Sequence, residues 1–100
     1  MQPQSLLTLT VPPAIEEAMI DWLLQNASQA GFSSYPVSGH ASREDGLSLA
    51  EQVAGRQKQI RLQLHLPSAA APAFLAALQA EFAGAGLHYW LLPLAEAGHI

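Results

Sequence analysis

The sequence predicts an α+β fold of the ferredoxin-like class, a βαββαβ sandwich in which two helices cover one face of a four-stranded antiparallel sheet. Two segments, residues 5–11 and 58–66, alternate apolar and polar side chains with the period of a strand. Each is followed by a segment whose apolar residues recur every three or four positions, as on one face of a helix. The order strand, helix, strand thus occurs twice, and residues 1–100 are expected to form a single domain.

The first half of the chain predicts a strand, a helix and an edge strand. Residues 5–11 (SLLTLTV) are followed by two prolines, which end a strand and suit the first turn of a helix. Residues 14–27 form an amphipathic helix with acidic residues near its start, and Gly31 is expected to close it. Residues 32–40 (FSSYPVSGH) are extended, and Pro36 assigns them to a sheet edge because proline has no N–H for a central ladder.

The second half repeats this order. Residues 58–66 (KQIRLQLHL) have the clearest strand alternation in the chain. A second helix is expected within residues 67–86, with Pro72 in its first turn and the glycines of AGAG at its end. Residues 87–94 (LHYWLLPL) predict the fourth strand.

A long polar insertion, about residues 41–57, separates the second and third strands. Loops longer than about 12 residues are usually functional or disordered, so we expect this one to contact a partner or close on a ligand. Ser48 and Glu51 have the spacing of a capping box, which predicts a short helix in the bound loop. Seven of the twelve charged side chains fall within residues 43–61, including all four basic ones: Arg43, Arg56, Lys58 and Arg61.

The sheet is expected to have one face covered by the helices and one that is neither fully polar nor apolar. Such a mixed face suits a subunit interface, with its polar groups satisfied across it. The residues predicted to form this interface are Thr8, Thr10, Arg61, Gln63 and His65.

The composition excludes several classes of protein. The chain has no cysteine, so disulfides, thiolate zinc sites and cysteine nucleophiles are excluded. A net charge of −4 disfavours a nucleic-acid partner. No apolar window approaches the ~20 residues of a membrane span, and the N-terminus lacks the basic region of a signal peptide, so we expect a cytoplasmic protein without membrane insertion. Because half the residues are apolar, we expect surplus apolar surface to be buried between subunits.

Catalytic motifs are not evident, and we expect a binding protein rather than an enzyme. The sequence has no GxGxxG or P-loop and no Ser/His/Asp spacing beyond chance. His65 with Arg61 is the one acid–base candidate for a small enzyme of the dimeric ferredoxin-like type, and two polar residues on a sheet face are weak support for one.

The histidines leave a metal-binding hypothesis open. In a chain without cysteine, histidine is the expected ligand for copper or zinc, and His40, His65 or His99 could act with Glu51. The four histidines show no HxH or HxxxH spacing. A structural role is the favoured interpretation, with His65 hydrogen-bonded in an interface and His40 at the base of the insertion.

Several segments together resemble the PII-like signalling proteins and their relative CutA, and most of all a small uncharacterised PII-like family. They are LLTLTVPPAIEEAMIDWLL, GFSSYPVSGH, LSLAEQVAGRQKQIRLQ and YWLLPL, and the resemblance covers essentially the whole chain. It implies a homotrimer in which residues 41–57 are the counterpart of the T-loop. It also implies a regulatory module that senses a small ligand or metal and acts through this loop on a protein partner such as a metal transporter. The alternative function is a CutA-like, histidine-based copper- or zinc-binding protein of metal tolerance.

The resemblance also implies where a ligand would bind. Gly39 and His40 match the base of the T-loop, and Arg56 and Lys58 match its basic return strand. The second nucleotide-binding element of PII corresponds to AGAGLHYW, which keeps two glycines, Gly84 and Gly86, but has no Lys or Arg for phosphates. Standard ATP or ADP sensing is therefore not expected, and the ligand is left unidentified. Residues 41–57 contain no tyrosine, so the modification switch of PII has no counterpart.

Overall fold

A computed structural model describes residues 2–27, 31–40 and 57–100 of the chain. The predicted insertion therefore lies outside the described residues, apart from its last residue, and so does its predicted Ser48–Glu51 helix. The elements are β1 (Gln4–Val11), α1 (Glu16–Asn26), β2 (Ser33–Gly39), β3 (Gln57–Pro67), α2 (Ala71–Glu81) and β4 (His88–Leu94). Short 3₁₀ turns, Pro13–Ile15 and Ser68–Ala70, lead into the two helices.

The four strands form one antiparallel sheet in the order β2-β3-β1-β4, which is the predicted ferredoxin-like arrangement. β1 pairs with β3 in a register that sets Thr10 opposite Arg61 and Leu6 opposite His65. β4 pairs along the other side of β1 and forms one edge of the sheet. β2 forms the other edge, with Pro36 in its middle, as the missing N–H of proline predicts.

The core lies between the sheet and the two helices. Met19 and Leu23 of α1 and Leu78 of α2 are buried against alternate residues of β1 and β3. Trp22 of α1 contacts Phe74 and Phe82 edge-on, with ring centroids 5.4 and 6.1 Å apart, and so joins the helices. Each fully buried leucine contributes about 1.5–3 kcal/mol of transfer free energy, so these contacts hold both helices on one face. The buried strand residues are Leu7, Leu9, Val11, Leu62, Leu64 and Leu66.

The first helix ends earlier than its sequence predicts. The expectation that Gly31 closes it is wrong, because α1 ends at Asn26, whose side-chain Nδ2 donates to the Trp22 carbonyl at 2.8 Å. The C-cap residue is Ala27, which leaves helical geometry at φ −130° and donates its N–H to the Leu23 carbonyl at 2.7 Å, so no glycine is needed there. Gly31, with φ +73°, instead turns the chain into β2. Within the described residues, neither helix is long and apolar enough to cross a membrane.

Candidate functional site

The residues predicted to bind a ligand lie at one end of the sheet, here called the loop end. There β2 ends at Gly39 opposite Gln57, the first residue of β3, and β4 begins at His88 opposite Thr10. His40 directly follows β2 and is exposed. Five of the six predicted residues lie at this end, namely Gly39, His40, Lys58, Gly84 and Gly86, and the sixth, Arg56, is outside the described residues.

These residues fall into two groups on opposite edges of the sheet. Gly39, His40 and Lys58 belong to the β2–β3 edge, whereas Gly84 and Gly86 precede β4. Three strand spacings separate β2 from β4, a distance of about 14 Å. One chain therefore does not gather the predicted residues around a single small ligand.

In the β2–β3 group, the absence of a side chain at Gly39 leaves room for a neighbouring residue. A Cβ atom there would overlap the side-chain amide of Gln59, which lies across the glycine. The glycine therefore lets a polar side chain lie flat where the insertion begins. Lys58 pairs with Ser38, and the alternation of β3 directs it to the helix side of the sheet, next to Ile60.

The β4 group borders an apolar cavity between α2 and β4 with a volume of about 350 Å³. Gly84 and Gly86, both at φ +78°, form the turn along its rim. At its mouth Gln79 Nε2 donates to Tyr89 Oη at 3.4 Å, which adds one polar point. Its lining contains no Lys or Arg, so it suits an apolar group better than a phosphate. The apolar lining residues are Leu9, Leu75, Leu78, Phe82 and Leu87.

The side of the sheet without helices, here called the open face, carries the predicted interface residues. Thr8 and Thr10 form its floor and are buried within the single chain. Gln63 Nε2 donates to Thr8 Oγ1 at 3.3 Å, and Arg61 Nε donates to Thr10 Oγ1 at 3.2 Å. The open face consists of Gln4, Leu6, Thr8, Thr10, Ser33, Tyr35, Val37, Gly39, Gln57, Gln59, Arg61, Gln63, His65, Pro67, His88, Trp90, Leu92 and Leu94.

The structure thus brings all five predicted interface residues together on one surface, but the polar groups find partners within the chain. We expected them to be satisfied across an interface. Instead the cross-strand register sets each threonine directly beside a longer donor. His65 likewise has its Nδ1 3.1 Å from Gln4 Oε1. The threonine hydroxyls and the Gln63 amide can therefore be covered with these partners in place.

Sequence reasoning missed the outer strands of the open face. Trp90 and Leu92 of β4 lie on it and are 43% and 51% exposed, and Tyr35 of β2 is 39% exposed. The Arg61 guanidinium stacks over the Trp90 ring at 5.0 Å from its centroid. The signal was present in HYWLLPL, because alternate residues of a strand share a face once its pairing is known.

The predicted metal ligands are far apart. Gly39, which precedes His40, pairs with Gln57 at the loop end. His65 lies eight residues beyond Gln57 along β3, about 26 Å away at the rise of a strand. Across residues 2–27, 31–40 and 57–100, no group of three His, Asp or Glu side chains could hold a metal ion. Glu51, the third predicted ligand, lies outside the described residues.

Comparison with known proteins identifies the family and supports the fold. The sequence model of the DUF3240 family, described as proteins of unknown function, matches residues 1–100. The crystal structure of a DUF3240 family protein from Shewanella baltica OS155 superposes with a TM-score of 0.79 at 22% identity, covering 100% of this chain and 99% of that one. No curated protein matches the sequence.

Two further solved structures share the fold at lower identity. CPII, a nitrogen regulatory PII-like protein from Thiomonas intermedia K12 bound to ADP, AMP and bicarbonate, has a TM-score of 0.69 at 19% identity, covering 98% of this chain and 97% of that one. The divalent ion tolerance protein CutA1 from Ehrlichia chaffeensis has a TM-score of 0.72 at 16% identity, covering 98% of this chain and 87% of that one. The predicted resemblance to the PII-like and CutA fold is confirmed.

Proposed function

The chain belongs to the DUF3240 family, and we propose that it is a PII-like regulatory binding module that works in the cytoplasm as a homotrimer. It binds a small ligand in clefts between subunits and acts through residues 41–57 on a protein partner such as a metal transporter. Its role is binding and signalling rather than catalysis.

The split arrangement of the loop end is the observation that carries this proposal. Gly39, His40 and Lys58 lie on one sheet edge, and Gly84 and Gly86 approach the other. A closed ring of subunits sets the β4 edge of one copy beside the β2–β3 edge of the next. The two groups then form one cleft at each subunit boundary, and the insertion starts at its rim.

The open face supports assembly as well. It combines exposed Trp90, Leu92 and Tyr35 with neutral polar groups, Thr8 and Gln63, that are already hydrogen-bonded. Exposed apolar side chains such as the neighbouring Trp90 and Leu92 on β4 mark an interaction site, and hydrogen-bonded neutral groups can be covered at little cost. In the trimer the three open faces pack towards one another.

The cleft favours a ligand with an apolar part and few charges. The cavity beside Gly84 and Gly86 is apolar, and Lys58 is the one Lys or Arg among the predicted cleft residues that the structure describes. A nucleotide would place several phosphate charges there with little compensation. CPII, which shares the fold, is bound to ADP, AMP and bicarbonate, so these compounds belong in the test set.

The test combines oligomeric state with a ligand panel. Light scattering on the purified protein should give about three times the chain mass of 10.7 kDa. A thermal-shift panel of ATP, ADP, AMP, bicarbonate, Cu²⁺, Zn²⁺ and Ni²⁺ should contain a compound that raises the melting temperature, because a ligand that binds the native state stabilises it. A monomer would contradict the proposal, and so would a binding site that survives both Lys58→Glu and Gly86→Val.

A second function, histidine-based copper or zinc binding of the CutA-like type, has one structural observation in its favour. The contact of His65 Nδ1 with Gln4 Oε1 at 3.1 Å engages one ring nitrogen and leaves Nε2 as the nitrogen that a metal could bind. Calorimetric titration with Cu²⁺ and Zn²⁺ tests it. Binding weaker than about micromolar, or unchanged in His40→Ala and in His65→Ala, would rule it out.

A further inference from the structure

We infer that the open face binds a small oxyanion on the guanidinium of Arg61, at a site separate from the loop-end cleft. This inference rests on the proposed trimer, because it is the covering of the open face that makes the charge of Arg61 costly. The ligand class is a dissolved oxyanion such as inorganic phosphate or a simple carboxylate.

Arg61 is held in place by contacts that use only part of its guanidinium. Its Nε donates to Thr10 Oγ1 at 3.2 Å, and its Cζ lies over the Trp90 ring, 5.0 Å from the centroid. Neither of these contacts, the two that the structure gives this side chain among the described residues, uses its two terminal amino groups. A guanidinium fixed by its Nε and its ring face presents these two groups as a fork that matches an oxyanion.

Among the residues that the structure describes, no acidic side chain on the open face compensates its charge. Among its described strand residues Arg61 is the one charged side chain, and none is acidic. The described acidic residues lie elsewhere, namely Glu16, Glu17 and Asp21 on α1, Glu81 on α2 and Glu96 after β4. A second copy that packs its open face here therefore brings another guanidinium and no carboxylate from that face.

Covering such a charge without a counter-ion is strongly unfavourable. An oxyanion shared among the guanidinium groups removes most of this penalty, because charge-assisted hydrogen bonds strengthen as water is excluded. Further side chains that can donate hydrogen bonds stand in the same row as Arg61, since the register sets Tyr35, Thr10 and His88 beside it on β2, β1 and β4. Neighbouring members are about 5 Å apart at Cβ, within reach of one small ion.

Trp90 provides a local readout. The chain has two tryptophans, so Trp22→Phe leaves Trp90 as the only indole emitter, directly beneath Arg61. In this background, inorganic phosphate added at constant ionic strength should change the Trp90 emission saturably and raise the melting temperature of the trimer. Arg61→Gln should abolish both responses. Arg61→Lys keeps the charge without the fork, and should weaken phosphate binding about tenfold.

Lys58→Glu separates this site from the loop-end cleft. Lys58 lies on the same strand but on the helix side, so an anion on the open face still perturbs Trp90 in this variant. If Lys58→Glu abolishes the response while Arg61→Gln preserves it, the anion binds in the cleft and the inference is overturned. If the protein is a trimer but does not respond to phosphate, this inference alone is overturned. If it is a monomer, the proposed function is overturned together with the trimer on which this inference rests. Should Arg61→Gln fail to fold, an Arg61→Lys trimer that binds phosphate as tightly as its parent is the overturning result.

Discussion

At the scale of single residues, three glycines near the proposed cleft differ in what a side chain would meet. Gly39 has ordinary backbone angles, and an added Cβ would meet only the flexible end of Gln59. Gly84 and Gly86 have open space around them but a φ of +78°, which L-residues rarely adopt. A side chain at position 39 would therefore displace Gln59, whereas side chains at positions 84 and 86 would strain the backbone.

This difference predicts the effects of alanine substitutions. Gly84→Ala and Gly86→Ala should each lower the free energy of unfolding by about 1–2 kcal/mol, because alanine in the left-handed region is strained. Gly98→Ala is the matched control, since that glycine has neither a positive φ nor a neighbour within 4 Å. Urea unfolding of the three variants measures the effect. Equal stability of Gly86→Ala and Gly98→Ala would contradict the assigned turn conformation.

At the scale of elements, α1 is attached through a narrow apolar stripe. Met19 and Leu23 are fully buried, whereas Leu24, the next residue, is 58% exposed. The stripe is continued by the edge-on contacts of Trp22 with α2. Two neighbouring leucines on one helix therefore experience opposite environments.

Leu23→Ala should destabilise the protein by about 2–5 kcal/mol, because truncation leaves a cavity between α1 and the sheet. Leu24→Ala removes the same atoms from a mostly exposed position and should stay within about 1 kcal/mol of the parent. Denaturant midpoints of both variants under identical conditions provide the comparison. Similar losses in the two would mean that α1 is rotated relative to its described packing.

The elements also show what could be read from the sequence and what could not. Period-two alternation predicted β1 and β3 and helical spacing predicted both helices, because these features depend on neighbouring residues. Strand-forming composition predicted β2 and β4, and Pro36 predicted the edge position of β2. The end of α1 was misassigned because the helix closes at Ala27, whose backbone N–H donates to the Leu23 carbonyl, without a glycine. The partnership of Arg61 with Trp90 was not predictable, because it depends on a register between β3, β1 and β4 that only pairing establishes.

At the scale of the whole molecule, the open face and the loop end both favour assembly of several subunits. Single chains leave Trp90 and Leu92 exposed and divide the predicted ligand residues between two edges. In a ring of subunits, neighbouring copies cover the open face and bring the two groups of predicted ligand residues together. The two features can be tested separately, because substitutions on the open face and at the edges act on different contacts.

Leu92→Lys should convert the trimer to monomers without unfolding the chain. The substitution adds a charge to a half-exposed site on the open face, where assembly would have to bury it. Leu24→Lys is the matched control, since it introduces the same group on the helix side of the molecule. Light scattering reports the mass and circular dichroism the fold. A trimeric Leu92→Lys protein would show that the open face is not the surface that assembles.

Mixed trimers provide the sharpest test of a cleft shared between subunits. Lys58→Glu damages the β3 side of the cleft, and Gly86→Val damages the β4 side, so neither homotrimer should bind the compound that stabilises the parent protein. When the two variants are co-expressed in equal amounts, a Gly86→Val subunit supplies an intact β3 edge to the intact β4 side of a Lys58→Glu neighbour. Random assembly then restores about one site in four, because each boundary needs one particular pairing out of four. Binding measured by calorimetry should recover to that fraction with the parental affinity. A site built within one chain would recover nothing on mixing, since every subunit carries one damaged half.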